Sequence, residues 1–404
     1  MSKLFEVPDY LTGDLVEYAL QKGLKCKNIH VRNVVYSAGS SGGDNYCSDI
    51  IRAKVTFSKG GAVKTDVSLI IKCIQRSESR DLLIKMGVFD TEEKMFLQII
   101  PKIENILERT ISPKCYFTCL EPTKTFFMDD LGYYGYKIGD RTKKLDLEHT
   151  LAVMKHLGQF HAGSMILAEK FPDEAMKVSK PTLFPTNKDD LNDIHFSMFV
   201  KTFKTFISVT ADIPKFERIS WKLRKFSDTF LDIVTQTYDS SFDKLKVINH
   251  GDCWLNNIMF KYSQNKPVDV KFIDFQFSYL ASPGIDINYF LNTSCQVEVL
   301  RSHRSELLKV YYKSLTEILQ KKDFTPIPSY EDIKYEVFRK EFYGFMAFAT
   351  LSPIMSMDSE ASTDNDFSNI GSEEKQKQIF QGKIFLEQLD FCLDRYDKLG
   401  IFDL

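Results

Sequence analysis

Four polar residues at fixed spacing in the second half of the chain carry the strongest chemical signal. His250, Asp252 and Asn257 lie in the segment VINHGDCWLNNIMF with the spacing H-x-D-x4-N, and Asp274 follows in VKFIDFQ. The flanking apolar residues predict strands, so we expect a turn from Asp252 to Asn257 and Asp274 at the end of an apolar strand. The alternative interpretation is structural, because Asp and Asn frequently cap turns.

This combination of side chains is the one that phosphoryl transfer from ATP requires. One carboxylate must orient the attacking hydroxyl or accept its proton, while a second carboxylate and an amide oxygen hold Mg²⁺ on the phosphates. The spacing lets Asp252 and Asn257 project from the two ends of one loop into a common site, and Asp274 completes the metal site. The sequence therefore predicts a catalytic loop over 248–276 in an enzyme whose cofactors are ATP and Mg²⁺.

A kinase also needs a lysine on the phosphates, and Lys72 is the candidate. It lies in the apolar strand IIKCI, where a charged side chain is costly unless it is paired. The following helix offers Glu92 and Glu93 as partners, of which we favour Glu92. Alternatively, Lys72 lies on an exposed strand face and extends its ammonium into solvent.

A glycine-rich segment precedes the Lys72 strand. Its glycines, Gly42 and Gly43, permit a close approach of the backbone to phosphate, and Asn45 and Ser48 follow them. A plain hairpin turn is the alternative, since the segment is neither G-x-G-x-x-G nor a P-loop. Its position ahead of the Lys72 strand favours the phosphate-binding interpretation.

Other polar and aromatic residues are interpreted as supports. His250 braces the catalytic loop rather than acting as a base, and His161 is a packed histidine on a helix face. Trp254 either forms a wall of the acceptor pocket or anchors the loop. Asp286 either caps the following helix or braces the loop.

The elements that must position these residues divide into two lobes. Residues 1–130 predict an N-terminal lobe with an antiparallel sheet and one prominent helix over 91–107, which Pro101 must kink or split. A further helix is expected over 9–25. The predicted strands, a β-meander and a hairpin, cover 28–36, 49–57, 63–74, 114–120 and 124–128.

Residues 131–404 predict a larger, mainly helical lobe, so that the fold class is α+β. A helical substrate-binding region is expected over about 166–245 and 330–351, and a mobile polar loop over 358–374. The remaining predictions are a helix from 146, strands over 246–249, 258–262 and 268–273, and long helices over 298–321, 330–351 and 373–397.

Composition narrows the class of protein. The 404 residues carry 53 Lys and Arg against 55 Asp and Glu, and this balance disfavours a general nucleic-acid binder. We expect no membrane partner, because there is no apolar run long enough for a membrane span and no secretory signal. Eight cysteines without a C-x-x-C pair predict a reduced, cytoplasmic protein. The oligomeric state is not indicated.

Taken together, the motifs resemble those of the ecdysteroid kinase-like family, also called CHK-type kinases, within the aminoglycoside phosphotransferase and choline kinase group. The resemblance covers about residues 30–295, in order. The matching motifs are Gly43-Asp44-Asn45-Tyr46-x-Ser48, Lys72, Glu92-x3-Phe96, Asp129-Asp130-Leu131-Gly132, His161-Ala162, His250-Gly251-Asp252-x-Trp254-x2-Asn257 and Ile273-Asp274-Phe275-Gln276.

The resemblance implies a protein-kinase-like fold and ATP- and Mg²⁺-dependent phosphorylation of a small-molecule hydroxyl, with ecdysteroids as the named acceptors and detoxification as a further role. It implies that Asp252 is the catalytic base and that Asn257 and Asp274 bind Mg²⁺. Lys72 and Glu92 would then position ATP.

The resemblance further implies that the segment Phe127–Asp130, with Met128 and Asp129, is the hinge against adenine. Two departures from the family pattern weaken the assignment of Glu92: Phe96 stands where tyrosine is usual, and Cys73-Ile74-Gln75 follows the lysine where a proline is common.

Two other kinase-related functions predict different sequence features. A pseudokinase or ligand-binding module predicts the loss of at least one of Lys72, Asp252, Asn257 and Asp274, and all four are present. A protein kinase predicts a long activation segment, whereas the chain after Asp274 runs directly into a helical pattern.

The chain has 33 Phe but only 2 Trp, and this excess favours a bulky apolar acceptor over choline or an aminoglycoside. Some phenylalanines are expected to form walls of the acceptor pocket, while most belong to the core. The candidates lie at 196, 199, 203, 206, 216, 226, 230, 338, 342, 345 and 348.

Overall fold

A five-stranded antiparallel sheet forms the N-terminal lobe, and its central strand carries Lys72. The computed structural model describes residues 6–39, 48–61, 64–74, 84–184, 194–357, 375 and 378–403. The α+β, two-lobed architecture expected from the sequence is confirmed. The N-terminal elements are α1 (Gly13–Gly23), β1 (Ile29–Ala38), β2 (Ser48–Lys59), β3 (Lys64–Ile74), α2 (Val88–Lys94), α3 (Ile100–Leu107), β4 (Cys115–Cys119) and β5 (Thr125–Asp129).

The strand order is β1-β2-β3-β5-β4, so the predicted meander and hairpin join into one sheet. Lys72 in β3 is paired with Ile50 of β2 and with Phe126 of β5. The alternation of side chains along β5 places Phe126 and Met128 on one face and Asp129 on the other. Lys72 is therefore anchored on both sides by neighbouring strands.

The predicted helix over 91–107 begins earlier, at Val88, and Pro101 does not split it. Between α2 and α3 lies a π-helical turn, Met95–Ile99, in which the Ile100 N–H donates to the Met95 carbonyl. Proline cannot donate an N–H, and its ring collides with the carbonyl four residues earlier. The wider π turn just before Pro101 absorbs this conflict, so the helix continues to Leu107.

The C-terminal lobe is mainly helical and contains two small sheets. Asp146 caps its first long helix by accepting the N–H of His149, which explains the start of that helix. The elements are β6 (Tyr136–Ile138), α4 (Leu147–Lys170), α5 (Pro172–Met176), α6 (Ile194–Ala211), α7 (Glu217–Lys225), α8 (Phe230–Tyr238), β7 (Val247–Asn249), β8 (Ile258–Ser263), β9 (Lys266–Phe272), β10 (Tyr279–Ala281), α9 (Gly284–Ser294), α10 (Val297–Lys321), α11 (Tyr330–Arg339), α12 (Glu341–Met346), α13 (Ser352–Met355) and α14 (Lys383–Lys398).

The small sheets hold the segment that carries the candidate catalytic residues. Strand β7 pairs with β10, and β8 lies between β6 and β9. The sequence pattern did not indicate β6 or β10. Their pairing fixes both ends of the loop that leaves β7 at Asn249 and enters β8 at Ile258.

The prediction of a single helix over 330–351 is wrong, because the helix is interrupted at Lys340. Helix α11 ends at Arg339, and α12 starts at Glu341. The Lys340 side chain is buried, and its ammonium lies 2.8 Å from the carboxylate of Asp243. Ion pairing of a buried cation outweighs the continuity of one helix at this position. The loop predicted over 358–374 lies outside the described residues.

Ten of the eleven candidate pocket phenylalanines belong to a packed core. They are buried in one cluster with Trp254, Tyr289 and Tyr343, and the rings of Phe203 and Phe230 stack at 3.9 Å between centroids. The exception is Phe338, which is 54% exposed. None of the helices in the described ranges combines the length and apolar character that crossing a bilayer requires.

Lys144 supplies a pH-dependent test of this fold. Its ammonium is buried and donates to the Ser352 hydroxyl and the Gln388 side-chain carbonyl, with no carboxylate partner among the described residues. Burial lowers its pKa from 10.5 to about 8. The unfolded lysine therefore binds its proton more tightly, and raising the pH from 8 towards 10.5 stabilises the folded state through this group.

We expect the free energy of unfolding of the wild type, relative to Lys144→Met, to rise by about 2 kcal/mol between pH 8 and pH 10. Denaturant titrations of both proteins measure this difference. Lys143→Met removes an exposed neighbouring lysine and serves as the control, which should show no such slope. A constant difference for Lys144→Met would contradict the expected pKa.

Candidate active site

The loop after β7 places Asp252 and Asn257 side by side. The Trp254 N–H donates to the Asp252 carbonyl, and the Asn257 N–H donates to the Trp254 carbonyl, each at 2.9 Å. These two bonds wind the chain through a 3₁₀ turn, Leu255–Asn257, before β8 begins. The two predicted functional side chains therefore project from opposite ends of one compact turn.

The carboxylate of Asp252 has a partner on each oxygen. Its Oδ2 accepts a hydrogen bond from Asn257 Nδ2 at 2.8 Å, and its Oδ1 accepts one from the Tyr289 hydroxyl at 2.6 Å. Burial raises the pKa of Asp252 to about 7, against the effect of these two hydrogen bonds. The charges of Asp274 and Asp286 act in the same direction as burial.

Sequence reasoning missed Tyr289. The signal that could have found it is helical spacing, because Tyr289 follows Asp286 by three residues and side chains at that spacing share a helix face. Both residues lie on α9 and contact the catalytic loop.

Asp274 lies next to Asn257 through the backbone. The Ile273 N–H donates to the Asn257 carbonyl at 3.0 Å, and the following residue, Asp274, has a left-handed φ of 65°. Asp adopts this conformation at a lower cost than most residues other than glycine. The turn directs the Asp274 carboxylate to the ammonium of Lys72, at 2.7 Å.

Lys72 is held between two carboxylates. Its Nζ lies 2.8 Å from both oxygens of Glu92 as well as 2.7 Å from Asp274 Oδ1. Burial lowers the pKa of Lys72, but the charges of Asp274 and Glu92 exceed that effect and hold its pKa above the ordinary value. Burial also raises the pKa of Glu92 against the attraction of Lys72.

Helix geometry explains why Glu92 and not Glu93 meets Lys72. Glu92 shares a fully buried face with Val88, Met95 and Ile99, so its carboxylate points towards the sheet. Glu93 lies one residue farther round the helix and pairs with Lys124 at 2.9 Å. The alternative that Lys72 is exposed is wrong, since the residue is only 4% exposed.

Asp286 braces the catalytic loop from below. Its fully buried carboxylate accepts hydrogen bonds from the backbone N–H groups of His250 at 2.6 Å and Gly251 at 2.9 Å. His161 Nε2 lies 3.2 Å from the same carboxylate, and its other ring nitrogen lies 2.8 Å from the Tyr311 hydroxyl. Of the two interpretations of Asp286, bracing therefore fits the contacts.

His250 joins the loop to the strand before Asp274. Its Nε2 lies 2.9 Å from the Ile273 carbonyl, and its Nδ1 accepts the N–H of Asp252 at 3.3 Å. Burial lowers the pKa of His250, which favours the neutral ring. Trp254 is 6% exposed and packs in the aromatic core, in agreement with an anchor of the loop.

The predicted nucleotide-binding residues are partly outside the described ranges. Gly42, Gly43 and Asn45 lie there, while Ser48 is buried at the start of β2. Met128 lies on the Lys72 face of the sheet. Asp129 lies on the opposite face, where its carboxylate accepts a hydrogen bond from the Tyr116 hydroxyl at 2.7 Å, and its backbone N–H donates to the Lys114 carbonyl at 2.9 Å.

The oxygen donors of Asn257 and Asp274 fit Mg²⁺. Asn257 uses its amide nitrogen to contact Asp252, which leaves its amide oxygen as a ligand, and Asp274 contributes a carboxylate. Mg²⁺ is commonly held by one or two protein oxygen ligands together with substrate phosphates. No cluster of three His, Cys, Asp or Glu side chains suited to a metal occurs in the described part of the chain, so the candidate ligands are the Asn257 amide and the Asp274 carboxylate alone.

Comparison with known proteins gives the following similarities. The sequence model of the Ecdysteroid kinase-like family matches residues 42–324. The comparison with curated proteins returned no match. Among solved structures, an ethanolamine kinase of Plasmodium vivax has 12% identity and a TM-score of 0.42, with 88% of this chain and 83% of that chain covered.

Two other structures are similar at 10% identity. The GDP complex of wild-type aminoglycoside 2'-phosphotransferase-IIIa has a TM-score of 0.41, with 92% of this chain and 99% of that chain covered. Glucosamine kinase in complex with glucosamine, ADP and inorganic phosphate has a TM-score of 0.35, with 90% of this chain and 100% of that chain covered.

The two adjacent glutamates allow a matched test of the Lys72 pair. Glu92→Gln removes the charge that holds the ammonium, and we expect it to lower kcat/KM for nucleotide by about 10²-fold through misplacement of Lys72. Glu93→Gln should retain activity, because its partner is Lys124. Steady-state kinetics of both variants measure the difference, and equal losses would contradict the assignment.

Gly251 has a matched control in Gly135, because both have φ of 84°. A Cβ on Gly251 would lie 1.9 Å from the Phe277 carbonyl oxygen, whereas a Cβ on Gly135 would meet no atom within 4 Å. Gly135→Ala should cost only the backbone strain, about 1–2 kcal/mol. Gly251→Ala should cost more than about 4 kcal/mol in the free energy of unfolding. Denaturant titration tests this order, and similar costs would show that the loop is not sterically constrained.

Proposed function

The chain belongs to the ecdysteroid kinase-like family, and on that basis we propose that it transfers the γ-phosphoryl group of ATP to a hydroxyl of a bulky apolar small molecule, with an ecdysteroid as the first candidate. Xenobiotic alcohols or glycosides, as in detoxification, are the alternative acceptors. The reaction would require Mg²⁺.

One observation carries this proposal. Lys72, Glu92 and Asp274 form one ion-paired group, Asp252 and Asn257 form a hydrogen-bonded pair, and the backbone bond between Ile273 and Asn257 joins the two sets. Phosphoryl transfer depends mostly on such positioning and on charge stabilisation.

Each residue then has a chemical task. Asp252 orients the acceptor hydroxyl and accepts its proton, a task for which the raised pKa of about 7 suits a base working near neutral pH. Asn257 and Asp274 hold Mg²⁺, which neutralises charge on the phosphates when it is bound. Lys72 contacts the phosphates, and Glu92 keeps its ammonium in place.

The part of the aromatic core that lies next to Asp252 is the part that could contact an apolar acceptor. Trp254 and Tyr289 belong to that core. Trp254 follows Asp252 by two residues, and the Tyr289 hydroxyl contacts the carboxylate of Asp252. The buried phenylalanines pack against one another and against these two rings within the same core. Preference for an ecdysteroid therefore rests on family membership.

A protein substrate is disfavoured by the short connection after Asp274. Residues 275–283 include β10 and lead directly into α9 at Gly284. This leaves no extended activation segment on which a peptide could dock.

The seven cysteines of the described ranges are free, which supports a cytoplasmic location for the proposed enzyme.

The test uses the purified protein with Mg-ATP and a panel of ecdysteroids, xenobiotic alcohols and glycosides, and choline. Mass spectrometry should detect a singly phosphorylated ecdysteroid, and Asp252→Asn should lower its rate of formation by about 10²–10⁴-fold. The melting temperature of the variant shows whether it remains folded.

Phosphorylation of glycosides or xenobiotic alcohols alone would replace the first candidate acceptor by the alternative. Wild-type rates in folded Asp252→Asn would refute the assigned base. Nucleotide binding without transfer to any member of a broad hydroxyl panel would favour a binding module over a kinase.

A further inference from the structure

Helix α9 is buried along its whole length although it is rich in polar side chains. All eleven residues from Gly284 to Ser294 are buried. Burying a polar group is costly unless it is hydrogen-bonded, so each such side chain is expected to have a specific partner. Asn288, Asn292 and Thr293 satisfy this within the helical lobe by bonding to backbone carbonyls.

The other three polar side chains of α9 contact the catalytic loop. Asp286 accepts the N–H groups of the two residues before Asp252, as described above. The Ser294 hydroxyl accepts the N–H of Leu255 at 3.0 Å. Tyr289 lies between them and donates to the carboxylate of Asp252 itself. One rigid helix thus contacts the loop before, at and after its proposed base.

The Tyr289 ring is fixed by packing. It is 3% exposed and stacks on Tyr343, with 6.0 Å between ring centroids and 25° between planes. Its hydroxyl therefore has a defined position, and the O–H···O distance of 2.6 Å to Asp252 is that of a bond to a charged acceptor. A carboxylate bonded at both oxygens cannot rotate without losing a hydrogen bond.

The second anchor of Asp252, Asn257, is also a proposed Mg²⁺ ligand. Its orientation therefore has to serve the metal as well as the base. Tyr289 has no such second task, because Asp252 is the only hydrogen-bond partner of its hydroxyl within the described residues. Because Tyr289 is not a proposed metal ligand, its hydrogen bond can hold the orientation of the Asp252 carboxylate both with and without bound Mg²⁺ and nucleotide.

We propose that Tyr289 is a positioning residue for phosphoryl transfer, whose buried hydroxyl fixes the orientation of the Asp252 carboxylate towards the acceptor hydroxyl. This inference rests on the proposed kinase function. It goes beyond the Asp, Asn and Lys set, because it assigns a role to a side chain that acts through the carboxylate of Asp252.

Tyr343 supplies a matched control within the same stack. It is fully buried, and its hydroxyl has no hydrogen-bond partner in the described part of the chain. Tyr289→Phe and Tyr343→Phe therefore remove the same atom from neighbouring buried rings. Only the first change removes a hydrogen bond to Asp252.

The kinetic test compares both variants with the wild type, using the acceptor found in the panel. Rates are expressed per nucleotide-binding site, measured by ADP titration, so that loss of folded protein does not count. We expect Tyr289→Phe to lower kcat by about 10- to 100-fold with KM for ATP within twofold, because the nucleotide contacts are unchanged. Tyr343→Phe should match the wild type.

A double variant separates positioning from general damage. If Tyr289 acts through Asp252, Tyr289→Phe should cause little further loss in the Asp252→Asn background, because coupled residues are not additive. A loss of the same size in both backgrounds would overturn the proposal, as would a wild-type kcat for Tyr289→Phe.

Crystal structures of the wild type and Tyr289→Phe give a result that does not depend on the reaction. The Asp252 carboxylate should keep one orientation in the wild type, and it should rotate or occupy several orientations in the variant. One unchanged orientation in both would overturn the positioning role even if the protein is an active kinase. Absence of transfer by the wild type, together with rotation in the variant, would refute the kinase function and leave the anchoring intact.

Discussion

The buried carboxylate of Asp286 is the constraint on which the catalytic loop depends. It has no contact with solvent, so its charge must be compensated by the N–H groups of His250 and Gly251 and by the ring of His161. Gly251 can present its N–H in this direction because its φ is positive and it lacks a Cβ. The need to hydrogen-bond the buried Asp286 carboxylate thus determines the backbone conformation of the turn before Asp252.

Side chains of the catalytic loop lie in a polar and in an apolar environment. Asp252 and Asn257 form a hydrogen bond with each other, whereas Trp254 is buried among aromatic rings. Tyr289 belongs to both, since its ring lies in the aromatic core and its hydroxyl contacts Asp252. Many of the phenylalanines belong to this aromatic core, in which the rings of Phe203 and Phe230 stack.

Sequence patterns predicted the local parts of this site better than its tertiary contacts. The strand around Lys72 and the turn that holds Asp252 follow from short-range spacing. The sequence offered both Glu92 and Glu93 as partners of Lys72, and burial of one face of α2 explains why Glu92 is the partner. The sequence did not predict the role of Tyr289, because that role depends on which helix packs against the catalytic loop. Tertiary packing between distant segments decides this, and local spacing does not show it. The break at Lys340 was missed for the same reason, since its buried ion-pair partner lies about a hundred residues earlier in the chain.

The two carboxylate partners of Lys72 differ in burial, and this difference assigns them different roles in the proposed reaction. Lys72 is one cation between two carboxylates, Glu92 and Asp274, and Asp252 adds a third acidic group nearby. This excess of negative charge favours a divalent cation over a second lysine as the compensating group. Asp274 would supply a carboxylate to Mg²⁺, and Lys72 would contact the phosphates. Glu92 is fully buried, whereas the Asp274 side chain is 28% exposed, so Glu92 is the partner that holds the ammonium in place. The unequal burial of the two carboxylates thus distinguishes a structural partner of Lys72 from one that a ligand can reach.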